Sequence, residues 1–175
     1  MDWYQTIFEL IDMRSFSNLW YWIALAVLWS SASHYVLGVP FDMVLRAKRQ
    51  GGETLADVEM LTQVNVNRYL LIGRVSGLWL LGFVSFVITG LGILGFYYGI
   101  EFCQAVFLLM APMSLVGLLT ISAARLIQDQ ALTGEALLRR LTRHRLHVQI
   151  IGIFAIFITA MYGMYVNMNV GALGG

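Results

Sequence analysis

A single cysteine, Cys103, occurs in the 175-residue chain. This excludes an internal disulfide, a Cys-x-x-Cys redox pair and a thiolate metal cage built by this chain alone. Charge is also scarce. Asp, Glu, Lys and Arg make up 12% of the residues, against roughly 25% in ordinary soluble domains. The formal net charge is +1, which leaves no basic footprint for nucleic acid. In place of charge there is apolar surface, 59% of residues with a mean hydropathy of +0.73. A water-soluble fold of this size has too few polar side chains here to build its shell. The composition therefore disfavours a soluble enzyme, a nucleic-acid binder and a disordered chain together.

The few charges are segregated. Four windows, 15–41, 75–100, 102–124 and 146–175, hold no Asp, Glu, Lys or Arg. About 20 helical residues cross a hydrocarbon layer of roughly 30 Å, and each window exceeds that length. A run such as LLGFVSFVITGLGILGF does not alternate polar with apolar residues, so it reads as helix rather than barrel strand. The sequence predicts an all-α, integral membrane bundle of four transmembrane helices forming one domain over 1–175. The spans are placed at about 15–41, 75–100, 102–124 and 146–170. Residues 1–14 put Trp3, Tyr4, Ile7, Leu10 and Ile11 on one face of a helix, and Asp2, Gln5, Glu9 and Asp12 on the other. That pattern predicts an N-terminal interfacial amphipathic helix, acidic where a signal peptide would be basic. Residues 53–68 and 133–147 read as helical extensions of the spans. Thr54 and Asp57 stand at capping-box spacing at the start of the first.

Ten of the eleven Lys and Arg residues fall in or beside the two connections between spans one and two and between spans three and four; only Arg14 does not. The positive-inside rule puts both connections in the cytoplasm and both termini in the periplasm of a bacterial inner membrane.

Reactive constellations are missing. Every Asp and Glu lies outside the four windows, which removes an intramembrane carboxylate relay. No GxSxG, HExxH or P-loop occurs. No catalytic residue, metal site or cofactor is therefore assigned. His34 is the one ionisable side chain well inside a window, on the wheel face of Ser30, Ser31 and Gly38. It is the single weak candidate for a haem ligand or proton carrier. No acid is expected at its depth, and His147 and His144 lie too far out to pair with it. A neutral histidine bonded across helices is the favoured reading.

Packing residues are more plentiful. Gln63, Asn67, Arg74, Gly77, Ser85, Gly92, Gly95 and Gly99 fall in one narrow sector of the second span and its extension. Gly73/Gly77 and Gly95/Gly99 are GxxxG pairs, which allow helices to approach closely in lipid. Gln104, Ala111, Ser122 and Arg125 form a similar stripe on the third span, and Gly152, Ala155, Thr159 and Gly163 one on the fourth. At the inner rim stand Asp42, Asn67, Arg74 and Arg125, with the basic run containing Arg139, Arg140 and Arg143 nearby. An ion pair among Asp42, Arg74 and Arg125 is the first expectation for the rim. Anionic lipid headgroups are the alternative, and basic pockets on the cytoplasmic side suit them. Pro40 and Pro112 each remove a backbone hydrogen bond from a span.

The segments MDWYQTIFELIDMRSFSNLWYW, ASHYVLGVPFDMVLRAKRQGG, NRYLLIGRVSGLWLLGF and LLRRLTRHRLHVQIIG resemble a family of small alphaproteobacterial inner-membrane proteins often labelled as a component of the SufBCD complex. The resemblance covers nearly the whole chain. It implies an inner-membrane location and an alphaproteobacterial lineage more than an activity, and carries over no catalytic residue. The residues themselves point to a non-catalytic accessory or assembly subunit of a larger membrane complex, partnered by lipids and other membrane subunits. The alternatives are a small membrane subunit of a transporter, or a haem- or quinone-binding redox protein.

Overall fold

The computed structural model describes residues 15–173. The interfacial helix expected over 1–14 lies outside the described residues. A 3-10 turn, Ser15–Ser17, leads into α1, Leu19–His34, capped by the Asn18 side chain accepting from Trp20 N–H. A two-stranded hairpin follows, with β1 at Tyr35–Val36 and β2 at Val39–Pro40. Then come α2, Phe41–Gln50, and α3, Gly52–Gly92. One wider π-helical turn, Ile93–Tyr97, closes α3. The chain ends with α4, Glu101–Asp129, and α5, Gly134–Leu173. The protein is all-α apart from the hairpin. Three of its helices are long and apolar enough to cross a membrane: Gly52–Tyr97, Glu101–Asp129 and Gly134–Asn169.

The first charge-free window is not one helix, contrary to expectation. Residues 35–40, YVLGVP, are apolar and therefore match a span in hydropathy, but their backbone preferences differ. Val36 and Val39 are β-branched and pair across the hairpin. Leu37 and Gly38 both take positive φ, 53° and 75°, the geometry of a tight two-residue hairpin turn. A side chain at Gly38 would meet Asn65 Nδ2 at 2.9 Å, so glycine is required there twice over. Pro40 does not bend a span. It stands at the N-cap of α2, with φ −58°, where its missing N–H costs nothing.

Gly51 and Gly52, at φ 62° and 52°, reverse the chain between α2 and α3. Thr54 lies inside α3 and donates to Gly51 O at 2.7 Å, so the expected capping box is not formed. Both helical extensions are continuous with the long helices that follow them.

Two apolar clusters hold the bundle. The first joins the hairpin and α2 to the start of α3, the end of α4 and the start of α5, through Leu37, Val44, Val58, Ala124 and Leu141. It lies at the end of the molecule that carries the basic connections. The second, around Leu25, Trp29, Val116, Val148 and Ala155, joins α1, α4 and α5 along their middles. At the opposite end Phe16 packs edge-on against Tyr21 and Tyr162, and its N–H donates to Glu101 Oε1 at 2.8 Å. The most apolar stretch of α3 joins neither cluster and has none of its residues buried.

Candidate functional site

The closest helix contacts occur where glycine meets a ring or a backbone. A Cβ at Gly152 would stand 2.8 Å from the Trp29 ring of α1, and one at Gly163 would stand 3.2 Å from Phe16. Gly95 lies in the π turn, where the lost α-helical register frees its carbonyl to accept from Gln104 Nε2 at 2.8 Å. A Cβ there would come within 2.9 Å of Gln104 N. Gly92 makes only ordinary contact with Phe107, at 3.5 Å.

Among the described residues, Gly77, Ser85 and Gly99 of the second-span sector form no packed seam. No atom lies within 4 Å of where a Cβ would stand on Gly77 or Gly99, and Ser85 is exposed. Gly99 lies past the end of the helix, and its φ of 72° turns the chain towards α4. Helix α4 does approach α3 at Gly73, Gly92 and Gly95, through Ile121, Phe107 and Gln104, and the positions left open are Gly77 and Ser85 between them.

His34 does not point into the bundle. It is exposed, with Nε2 4.0 Å from Asp42 Oδ1 and its ring edge-on to Tyr35. The hairpin brings Asp42 back beside the end of α1, so an acid does share the level of His34. Asp42 also stands 4.0 Å from Arg46 Nη2. Arg74 and Arg125 are exposed, and neither forms an ion pair among the described residues. The expected pairing of Asp42 with Arg74 and Arg125 is therefore replaced by its pairing with Arg46 and His34. Asn67 accepts from Gln63 Nε2 at 3.2 Å on an exposed face. Ser33 Oγ donates to Ser30 O within α1, Ser30 and Ser31 are exposed, and the contacts of His34 are with Asp42 and the Tyr35 ring.

His144, expected too far out along the helix to pair with His34, is buried, at 3% exposed. Its Nε2 lies 3.3 Å from Thr120 Oγ1 on α4. That hydroxyl donates to Val116 O at 2.8 Å, which leaves its lone pair to accept from Nε2–H. Burial pushes the His144 pKa down to about 4, and the charges of Arg140 and His147 push the same way. It is a neutral core residue at pH 7. The missed signal was spacing. Leu137, Leu141, His144, Val148, Gly152, Ala155, Thr159 and Gly163 continue one stripe at steps of three and four, and all are buried.

Arg145 links three elements. Its Nε donates to Ser33 O at 3.1 Å, near the C-terminal end of α1, and its guanidinium lies 3.8 Å from the Phe41 ring centroid of α2. Lys48 Nζ donates to Thr142 Oγ1 at 2.7 Å beside it. Glu59 of α3 accepts from Gly134 N–H, placing a carboxylate on the positive end of α5.

Arg139, Arg140 and Arg143 line one open cleft of about 580 Å³ between the end of α4 and the start of α5, with Leu126, Leu132 and Ala136 among the apolar residues of its wall. Arg139 is held by Glu135, with Nη2 to Oε1 at 2.6 Å. Among the described residues no group of three His, Cys, Asp or Glu side chains is placed to hold a metal. The site is thus a basic cleft beside a packed core, with no nucleophile–base pair in it. Comparison with family models, with curated proteins and with solved structures finds no match for this chain.

Proposed function

We propose that this protein is a non-catalytic accessory or assembly subunit of a larger complex in a bacterial inner membrane. The observation that carries the reading is the naked apolar length of α3. Leu78 and Trp79 are 86% and 85% exposed and Phe86 is 76% exposed, in a stretch with no buried residue. Lipid can cover such a surface. A helix that needed only lipid, however, would have no use for small residues between those bulky ones. Gly77, Gly82 and Ser85 leave shallow notches beside Leu78, Trp79 and Phe86 that another subunit's helix can enter.

The placement in the bilayer follows from charge. Both basic connections meet at the end built around Val44, Val58 and Leu141, and the positive-inside rule assigns that end to the cytoplasm. Helix α1 serves as the fourth crossing. It has 16 residues, a rise of about 24 Å. It runs beside α5 from Gly163, which meets Trp22, to Arg145, which meets Ser33. The hairpin then completes the distance to the cytoplasmic rim.

Co-purification tests the reading. Among the described residues a side chain at Gly77 would meet open space beyond its own helix, and Ser85 is exposed, so Gly77→Leu and Ser85→Trp should leave the fold of the isolated protein unchanged. In native membranes both should lose the partner subunits. Retention of every partner by both variants would remove the support that α3 gives to the proposal.

A further inference from the structure

We infer that the cleft between α4 and α5 is a binding site for a phosphate-bearing anion, with Arg140 and Arg143 as its ligands. Arg140 lines the cleft, and its Nε is buried with no hydrogen-bond partner. It is the one charged group among the described residues whose buried nitrogen is left so. A desolvated guanidinium N–H without an acceptor is a costly arrangement, and the forked donor set of arginine matches phosphate oxygens. Neighbouring arginines are already used. Arg139 is neutralised by Glu135, and Arg145 is taken up by Ser33 O and the Phe41 ring. Arg143 is exposed and has no ion-pair partner among the described residues. It lies three residues beyond Arg140 and so on the same side of α5, about 4.5 Å along the axis.

A second cleft of about 600 Å³ lies on the other side of Arg139, lined also by Lys48 and Leu55. It makes a useful contrast. Its Lys48 is bonded to Thr142 and its Arg139 to Glu135, so both of these cations already have a partner. The Glu135–Arg139 pair lines the first cleft as well, but that cleft adds Arg140 and Arg143, which have no ion-pair partner among the described residues, above an apolar wall of Leu126, Leu132 and Ala136. A charged head and an adjoining apolar chain would both be accommodated. Arg143 stands three residues before the charge-free window that begins at 146, which is headgroup depth if that window lies in hydrocarbon. The source of the anion, a lipid headgroup rather than a soluble phosphate, rests on the membrane placement proposed above; the two arginines do not.

The test uses the full chain purified in a neutral detergent and titrated separately with phosphatidylglycerol, phosphatidylcholine and inorganic phosphate. Phosphatidylglycerol should be retained over phosphatidylcholine. The double variant Arg140→Gln/Arg143→Gln should weaken that retention at least tenfold. Arg143→Gln alone, at an exposed position that cannot unfold the bundle, should weaken it several-fold. The control is Arg46→Gln/Arg49→Gln, which removes two exposed charges from α2 at the same end and should leave retention unchanged. Phosphate binding that the Arg140/Arg143 variant loses would keep the site and assign it a soluble ligand. Equal losses in the two double variants, or no loss in either arginine variant of the cleft, would overturn the inference. Co-purification from native membranes reads the subunit proposal separately, so either can fail alone.

Discussion

His144 is where one side chain most affects the energetics of the fold. Its pKa is about 4 in the folded protein, against 6.5 for an ordinary histidine. Between those values the unfolded chain binds the extra proton and the folded one does not, so stability rises with pH across this window. It is fully present above about pH 6.5 and falls as pH drops towards 4. The loss should be on the order of 2 kcal/mol for this residue. Thermal unfolding in detergent at pH 7.5 and pH 5 measures it. His144→Leu should flatten the difference between the two pH values, and an unchanged difference would place the titration elsewhere. Arg145 makes a second contribution at this scale. Arg145→Ala removes both the cation–π contact with Phe41 and the bond to Ser33 O, and should cost about 1–2 kcal/mol. Arg145→Lys should recover only part of this, because an ammonium cannot lie flat on the ring while donating sideways to the carbonyl. Denaturant titration of the three proteins reads the order.

The helices differ in how much their small residues matter to the chain's own fold. Gly152 sits beneath the Trp29 ring at a distance no Cβ could keep, so Gly152→Leu should destabilise the isolated protein by about 1–3 kcal/mol through overpacking. Gly77→Leu meets open space and replaces a poor helix former, so it should be neutral or slightly stabilising. Equal losses for the two would mean that α3 packs in a way its exposure denies. Gly38→Ala combines a left-handed φ with a 2.9 Å approach to Asn65 and should loosen the hairpin, read as faster hydrogen exchange at Val36 and Val39. Much of the helical frame was legible from the spacing of charges, because a long charge-free run constrains what can form it. The hairpin was not. YVLGVP is as apolar as the helices on either side, and hydropathy does not separate strand from helix in so short a run. The β-branched pair flanking Leu37-Gly38, with proline after it, was the available signal. The polar residues were harder to place for the same reason. His34 and Asp42 come together only because the hairpin reverses the chain between them. His144 is buried because its stripe continues past the point where the apolar run ends.

Across the whole molecule, burial is uneven. The basic end is packed from four helices and a hairpin, whereas the most apolar part of α3 is left bare. In a bilayer, lipid would cover that stretch without a hydrophobic penalty. Under the subunit reading proposed above, a partner's helix packs against it instead. The most direct measurement is the size and composition of the particle that contains this protein when native membranes are solubilised mildly, with the tagged chain at its endogenous level. The expected result is a particle well above the 19.7 kDa of the chain, with partner subunits in fixed ratio, lost in Gly77→Leu and Ser85→Trp and kept in Ser30→Ala and Cys103→Ala. A lone chain in its own micelle, or a function abolished by Ser30→Ala or Cys103→Ala with the particle intact, would contradict the accessory-subunit reading.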